Sequence, residues 1–424
     1  MLNITYQYKL EPTTEQAVSM SRWLEIVRKV YNYALAERRD WIKSRKCDVN
    51  ACSIRSEYII AADTPSPTYA SQCKSLTVAR KNRSHLQDVN AQVLQQVLQT
   101  VEKAFIGMWE QERGFPRFKK PGRMRSFVFP QFKTSPVDGN FLKLPSFGRV
   151  RVRMHRPIPN GFALKQVRVV QKASGWYAML ALECKADVPD ILPHGHAIGI
   201  DVGLDAFVAT SDGELIARPR FFVEAQHKLK LLNRDVSRKQ KGSKNHQKAR
   251  RKVARHYETI GNQRQAFHLR VAHHLCSTAR TVYAEDLNLK GLAKGMLAKQ
   301  CLDAGWGMFL ETLKWVSWKR GVYFAKVDAR GTSQTCPQCE THVPKNLSIR
   351  IHDCPECGYC TNRDIASAQL VLIRGAAGGH PVKKSVEDAE ATKAPVKQKR
   401  SRATKSEPTP YCFLAVGAGS VSLA

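Results

Sequence analysis

The chain has 424 residues, 43% of them hydrophobic, too long for one ordinary domain and rich enough to bury more than one core. Lys and Arg total 68 against 36 Asp and Glu, a formal net charge of +32 that attracts polyanions and makes nucleic acid the expected partner. Basic residues are spread along the chain, no run of 18 apolar residues exists, and MLNITYQYKLEPT lacks the leader pattern of a signal peptide; neither a membrane-surface protein, a membrane span nor a secreted disulfide scaffold is expected.

Ile4 to Leu10 alternates as a strand. Thr13 or Thr14 then caps a helix with Glu15 and Gln16 in its first turn. From Ala17 to Lys43 an apolar stripe (Val18, Trp23, Ile26, Val27, Val30, Tyr31, Ala34) is flanked by Arg22, Arg28, Lys29, Arg38 and Arg39. Residues 44–85 are polar and poorly patterned. A second amphipathic helix spans about Asn90 to Arg113 on Val93, Leu94, Val97, Leu98, Val101, Phe105 and Trp109.

Residues 114–190 change character. GFPRFKKPGRMRSFVFPQF mixes cations with Phe and Pro, as nucleic-acid contacts do. In GRVRVRMH, Arg149, Arg151 and Arg153 fall on one strand face and Val150, Val152 and Met154 on the other. WYAMLALEC reads as a fairly buried strand. Together these pieces predict a small β-barrel or sheet into which the preceding helices are inserted.

AIGID opens a new unit as an apolar strand ending in an acid, and VGLD offers a glycine where the backbone could approach a ligand. Residues 223–276 predict two basic helices, antiparallel and bent near Gly242. Between Lys228 and Arg255 twelve Lys/Arg face one acid, Asp235, a bias beyond what solvation needs and suited to phosphate. TVYAEDLNLKGL is a second strand ending in acids, Met308 to Arg320 an amphipathic helix, GVYFAKVDAR a strand and residues 364–376 a final helix. The remainder, 379–424, has the composition of a disordered basic tail.

Cys336-x-x-Cys339 and Cys354-x-x-Cys357, fourteen residues apart, can place four thiolates on one tetrahedral zinc ion. Pro337 and Pro355 stiffen the two turns. Such a site is closed and therefore structural. Cys360 is a spectator on this reading, and His352 remains an alternative ligand. Shortly after the cysteines comes Asp364, so the segment is either a module that binds something or a clip that holds this acid. Asp201 and Glu285 end strands and Asp364 opens a helix. Such positions on an α/β scaffold let carboxylates converge, as a two-metal phosphodiester hydrolase requires, although a single strand-end acid is more often a solvated cap.

GIDVGLDAFVATSDG, VYAEDLNLKGL and DARGTSQTCPQCE…CPECGYCTNRDIASAQ, in this order, resemble the three parts of a RuvC-like nuclease of the OrfB/TnpB transposon-encoded family, kin to the type V CRISPR effectors. The similarity runs from about residue 3 to 376. It implies an α/β chain: a ribonuclease-H-like RuvC domain with an inserted zinc ribbon, plus an N-terminal wedge-type β-barrel carrying a helical recognition insertion. The implied boundaries are 1–12 and 114–190 for the wedge, 13–113 for the insertion, 191–330 and 361–378 for the nuclease, and 331–360 for the ribbon.

The resemblance makes Asp201, Glu285 and Asp364 the catalytic ligands of two Mg2+ ions, and Cys336, Cys339, Cys354 and Cys357 those of one structural Zn2+. Gly203 and Asp205 match the turn after the first acid; Arg330, Thr332, Ser333 and Gln334 match the approach to the ribbon. Arg363 is a candidate phosphate contact, against the plainer reading of a surface arginine. Many relatives read DRDxNAA where this chain reads TNRDIASAQ, with Asn362 and Ser367 taken as standing in the usual Asp and Asn places.

The resemblance implies a guide RNA from the transposon end and cleavage of double-stranded DNA beside a short target-adjacent motif, with base pairing reading the sequence. Duplex readers are expected near Lys43 to Lys81. A cytoplasmic, nucleoid-associated monomer of a prokaryote is expected. The competing readings are a guided or unguided binding protein that does not cut, and a transposase performing strand transfer. The resemblance weighs against the transposase, because excision in that family belongs to a separate tyrosine enzyme.

Overall fold

The computed structural model describes residues 2–46, 60–61, 63–132, 134–186, 190–346 and 349–378. The expected tail, 379–424, and part of the Lys43 to Lys81 stretch lie outside the described residues.

Strand β1 (Leu2–Glu11) leads into helix α1 (Thr14–Ser44). Thr13 is the cap: its hydroxyl accepts from the Gln16 backbone N–H, and the Gln16 side chain accepts from the Thr13 N–H, which occupies donors that a helix start leaves unpaired. The stripe is buried from Trp23 to Ala34, but Val18 is 64% exposed. Among the described residues of the unpatterned stretch, helix α2 (Tyr69–Asn82) forms and α3 (Ser84–Gln87) begins. Helix α2 packs a short, weakly apolar stripe, Tyr69, Cys73, Leu76 and Ala79, on the core. The Thr68–Ser71 capping box and buried Gln72, whose amide donates to the Ala34 carbonyl and the Glu37 carboxylate, also hold it. Helix α4 (Ala91–Glu110) buries Val93, Leu94, Val97, Leu98, Val101 and Phe105, while Trp109 stays 65% exposed.

Strands β2 (Ser126–Phe129), β3 (Val137–Asp138), β4 (Phe141–Leu144), β5 (Gly148–Arg153), β6 (Ala163–Lys172) and β7 (Gly175–Cys184) join β1 in one sheet, ordered β2-β6-β7-β1-β5-β4-β3. Its end strands, β2 and β3, are not neighbours, so the barrel is an open half-barrel wedge. In β5 Val150 and Val152 are buried and Arg149, Arg151 and Arg153 exposed, as alternation predicts; Met154 lies just beyond the strand. WYAMLALEC is a fairly buried strand with one face fully covered. Trp176, Ala178, Leu180 and Leu182 face the core, and the residues between them are partly exposed. The helices α1, α2 and α4 share one continuous core with this sheet. Trp23 of α1 sits 5.4 Å from the Phe127 ring and 4.5 Å from the Phe147 ring. Wedge and helices are therefore joined by apolar packing.

The second half is an α/β RuvC-like fold. Strands β8 (Ala197–Asp201), β9 (Ala206–Thr210) and β10 (Leu215–Ala217) form an antiparallel run. Two basic helices follow, α5 (Phe221–Ser237) and α6 (Lys244–Thr278), with Gly242 at φ 90° in the turn between them. Next come β11 (Thr281–Glu285), short helices α7 (Leu289–Leu292) and α8 (Ala298–Ala304), α9 (Trp306–Arg320) and β12 (Tyr323–Val327). The sheet order is β10-β9-β8-β11-β12, with β8, β11 and β12 parallel. Strands β13 (Ile351–Asp353) and β14 (Cys360–Asn362) form a small ribbon that runs directly into α10 (Arg363–Ala376). Among the described residues no helix is long and apolar enough to cross a membrane.

Candidate active site

Parallel pairing of β8 and β11 brings the C-terminal ends of both strands to one edge of the sheet. Asp201 is the last residue of β8 and Glu285 the last of β11. Asp364 arrives from another direction, in the first turn of α10. Three acids far apart in sequence thus reach one end of the fold.

Their electrostatics record the proximity. The Asp201 carboxyl is held well above the usual carboxylate range, by burial first and then by the negative charges of Glu285 and Asp364; Arg363 and the Val202 N–H pull the other way. Glu285, 6% exposed, is also raised by burial. A hydrogen bond from the Thr332 side chain and the charge of Arg374 act against that rise, and Asp364 adds to it. Gly203 lets the chain turn tightly past Asp364: a Cβ there would lie 3.0 Å from the Ala206 carbonyl oxygen and 3.6 Å from the Asp364 carboxylate. The close approach that glycine permits is to the protein's own backbone and third acid.

Asp364 is held at both sides. The Asn362 side chain caps α10 by accepting the Asp364 N–H at 2.8 Å. Asn caps as well as Asp, so its place in TNRD keeps the helix start while removing one negative charge beside the acids. Arg363 lies 3.3 Å from the Asp364 carboxylate and donates to the Ile349 carbonyl. It is largely buried and engaged with the acid, not an ordinary surface arginine. Counted from Asp364, the residue two places on is Ala366, not Ser367. Ala366 therefore takes the Asn place of the DRDxNAA pattern, and Ser367 is a buried residue of α10.

Among the described residues, the one group of three or more His, Cys, Asp or Glu with ligand atoms all within 4.8 Å of one another is Cys336, Cys339, Cys354 and Cys357. The three acids are less closely gathered. The Sγ atoms of Cys336 and Cys357 are 3.7 Å apart, and those of Cys339 and Cys354 3.5 Å. Four sulfurs about 2.3 Å from a tetrahedral zinc would be separated by about 3.8 Å, so the cluster fits a structural zinc ion. The Cys339 thiol is lowered to about 6, chiefly by hydrogen bonds from Thr341, while Cys357, despite a lowering hydrogen bond from the Tyr359 backbone, is pushed up to about 12 by desolvation and by the other three thiols; the crowded set shares its protons, which a bound metal would displace. His352 and Cys360 are not members of the cluster.

Sequence reasoning missed Arg374, Gly199 of β8 and Gly375 of α10. Arg374 donates to the carbonyls of Asp328 and Arg330 and so ties α10 to the loop before the cysteines.

The chain resembles known proteins in sequence and in fold. Residues 182–296 match the model of OrfB_IS605, "Probable transposase". Residues 306–371 match the Cas12f1-like TNB domain, and residues 1–47 a helix-turn-helix domain of OrfB_IS605. In this chain that last stretch contains a strand and one long helix among its described residues. A Streptomyces pristinaespiralis protein named "Putative RNA-guided DNA endonuclease" is 30% identical over 95% of this chain and 98% of its own length. The chain belongs to the OrfB/TnpB family. An Escherichia coli (strain K12) member, "Putative RNA-guided DNA endonuclease InsQ", is 28% identical over 87% of this chain and 92% of its own. Among solved structures, a Cas12f1–sgRNA–target DNA complex shares the fold at TM-score 0.52 and 13% identity, covering 85% of this chain and 83% of that one.

Proposed function

We propose that this family member is an RNA-guided DNA endonuclease that cuts beside a short target-adjacent motif, with Asp201, Glu285 and Asp364 as its catalytic acids. The observation that carries the reading is the meeting of these acids at one end of the β8–β11 pair, where burial and mutual repulsion raise two of them. Three converging carboxylates, flanked by the Thr332 side chain and the Arg363 guanidinium, suit hard divalent cations, and two Mg2+ ions are the fitting occupants. When bound, such ions neutralise charge at the scissile phosphate and activate water.

The chain's own residues do the rest. Glu285 is oriented by Thr332 and Asp364 by the Asn362 cap, while Arg363 offers a guanidinium beside the third acid where a phosphate would arrive. A cleft of about 850 Å³ between the half-barrel and α6 is lined by Arg125, Lys172, Arg251 and Arg255 and has the charge to hold a nucleic-acid backbone. On the same reading the guide RNA lies along these basic faces, and the 331–360 segment is a zinc-held clip for Asp364.

The test begins with RNA that co-purifies when the chain is expressed with its flanking DNA. That RNA is sequenced and then used with Mg2+ on a plasmid library with randomised flanks. A discrete RNA and flank-dependent cuts are expected, with Asp201→Ala abolishing cleavage and keeping RNA binding. Undiminished cutting by Asp201→Ala would sink the assignment of the acids. Bound RNA without any cutting by the unaltered chain would favour a guided binder.

A further inference from the structure

Asp201 and Glu285 each stand two residues after a helix-contacting position of their own strand. Because strand side chains alternate, Gly199 shares a face with Asp201, and Tyr283 with Glu285. Gly199 and Tyr283 are also register partners across the β8–β11 pair. One row of the sheet thus carries the two acids, and the row behind it carries a glycine and a tyrosine. Helix α10 lies on that rear row. A Cβ at Gly199 would come within 2.0 Å of the Ala368 carbonyl oxygen and 2.6 Å of the Leu372 N, both backbone atoms that cannot swing aside. A Cβ at Gly375 would meet the Tyr283 ring at 2.3 Å.

Ala368 is one helical turn from Asp364, so the depth of α10 on Gly199 sets where Asp364 stands relative to the other acids. We infer that Gly199 and Gly375 are positioning residues, seating α10 at two points so that Asp364 is held in reach of Asp201 and Glu285. A carbon needs about 3.3 Å or more from a carbonyl oxygen, so a methyl at Gly199 lifts the helix by more than ~1 Å. A misplacement of that size costs on the order of 100-fold in rate. Alanine is the better helix former, by roughly 1 kcal/mol, so a loss at Gly375→Ala cannot come from helix propensity.

This inference rests on the proposed nuclease reading, and two readouts separate them. Full-length Gly375→Ala, Gly199→Ala, Tyr283→Ala and Gly375→Ala/Tyr283→Ala are compared with the unaltered chain, each loaded with its co-purified RNA. DNA cleavage and Mn2+ binding, the latter by electron paramagnetic resonance, are measured alongside RNA affinity. Gly199→Ala and Gly375→Ala are expected to cut roughly 100-fold more slowly. Mn2+ binding should weaken and RNA affinity stay unchanged. The double variant, with room for the new methyl, should regain at least about a tenth of the original rate, a loss of about 1.4 kcal/mol where Gly375→Ala alone loses twice that. Rescue of this kind traces the loss to the contact between residue 375 and the Tyr283 ring, and weakened Mn2+ binding at unchanged RNA affinity separates a misplaced Asp364 from a merely destabilised core.

Cutting and Mn2+ binding unchanged in both single glycine variants would overturn the inference, as would a double variant no better than Gly375→Ala. If Gly375→Ala is insoluble, a soluble and active double variant supports the seating, and an insoluble one overturns it. If the unaltered chain never cuts DNA, the nuclease reading fails, and the Mn2+ arm still decides the placement of Asp364.

Discussion

The carboxyl of Asp201 is partly accessible yet holds its proton more tightly than an ordinary aspartate, because burial and two neighbouring acids oppose its charge. Its folded pKa therefore exceeds its unfolded value. The associated stability is full below the ordinary carboxylate range, about pH 4, and is lost as pH rises through the raised value. In zinc-loaded, magnesium-free protein, the melting temperature of Asp201→Asn should match that of the unaltered chain near pH 4 and exceed it increasingly at higher pH. A difference that does not change with pH in thermal melts would contradict the crowding of the acids. A buried carboxylate outside the site, Asp303, has a cationic partner instead. Asp303, 4% exposed, accepts the Phe222 N–H at the start of α5 and the Arg264 guanidinium at 2.9 Å. Asp303→Ala should lower stability by about 3–5 kcal/mol in denaturant titration, because Arg264 is left largely buried without its partner. Asp303→Asn should cost less.

At the scale of elements, the cysteine ribbon and α10 behave as one unit. The ribbon strand β14 leads straight into the helix, the Arg363 N–H donates to the Arg350 carbonyl, and Arg374 reaches back to residues 328 and 330. Cys336 and Cys354 are buried, so the cluster supplies the small core that the ribbon otherwise lacks. Structural zinc in such units contributes roughly 10 kcal/mol or more of folding energy. Cys354→Ser should therefore remove one zinc per chain by mass spectrometry. It should also raise hydrogen exchange from residue 332 through the first turn of α10, and full protection there without zinc would refute the clip. The two basic helices form a second unit, with Lys248, Arg250, Arg251 and Lys252 all exposed on α6.

For the whole molecule, a net charge of +32 dominates association with any nucleic acid. RNA affinity should fall linearly in log–log form as salt rises. Replacing Lys248, Arg250, Arg251 and Lys252 with Gln should reduce that slope by about 3, at roughly 0.7 to 0.9 per phosphate contact. An unchanged slope would place the RNA elsewhere.

Much of this was legible in the sequence because the relevant signals are local. Two CxxC turns suggest a metal cluster by spacing alone, strands ending in Asp201 and Glu285 show their acids at the boundary, and the threonines at 13 and 14 announce the start of α1, although only the structure picks Thr13 as the cap. Helix α2 was hidden because its short stripe (Tyr69, Cys73, Leu76, Ala79) is weakly apolar and the Gln72 contacts that help fix it leave no periodic signal. Val18 and Trp109 fit their stripes yet stay exposed, because periodicity gives a face but not what covers it. Charge and motif order were enough to indicate a nucleic-acid nuclease. The tertiary structure alone decided that the half-barrel is open, that its helices share its core, and that α10 is seated on Gly199 and Tyr283. Those facts depend on backbone atoms meeting across distant segments, and a glycine looks the same in sequence whether it bends a turn or receives a helix.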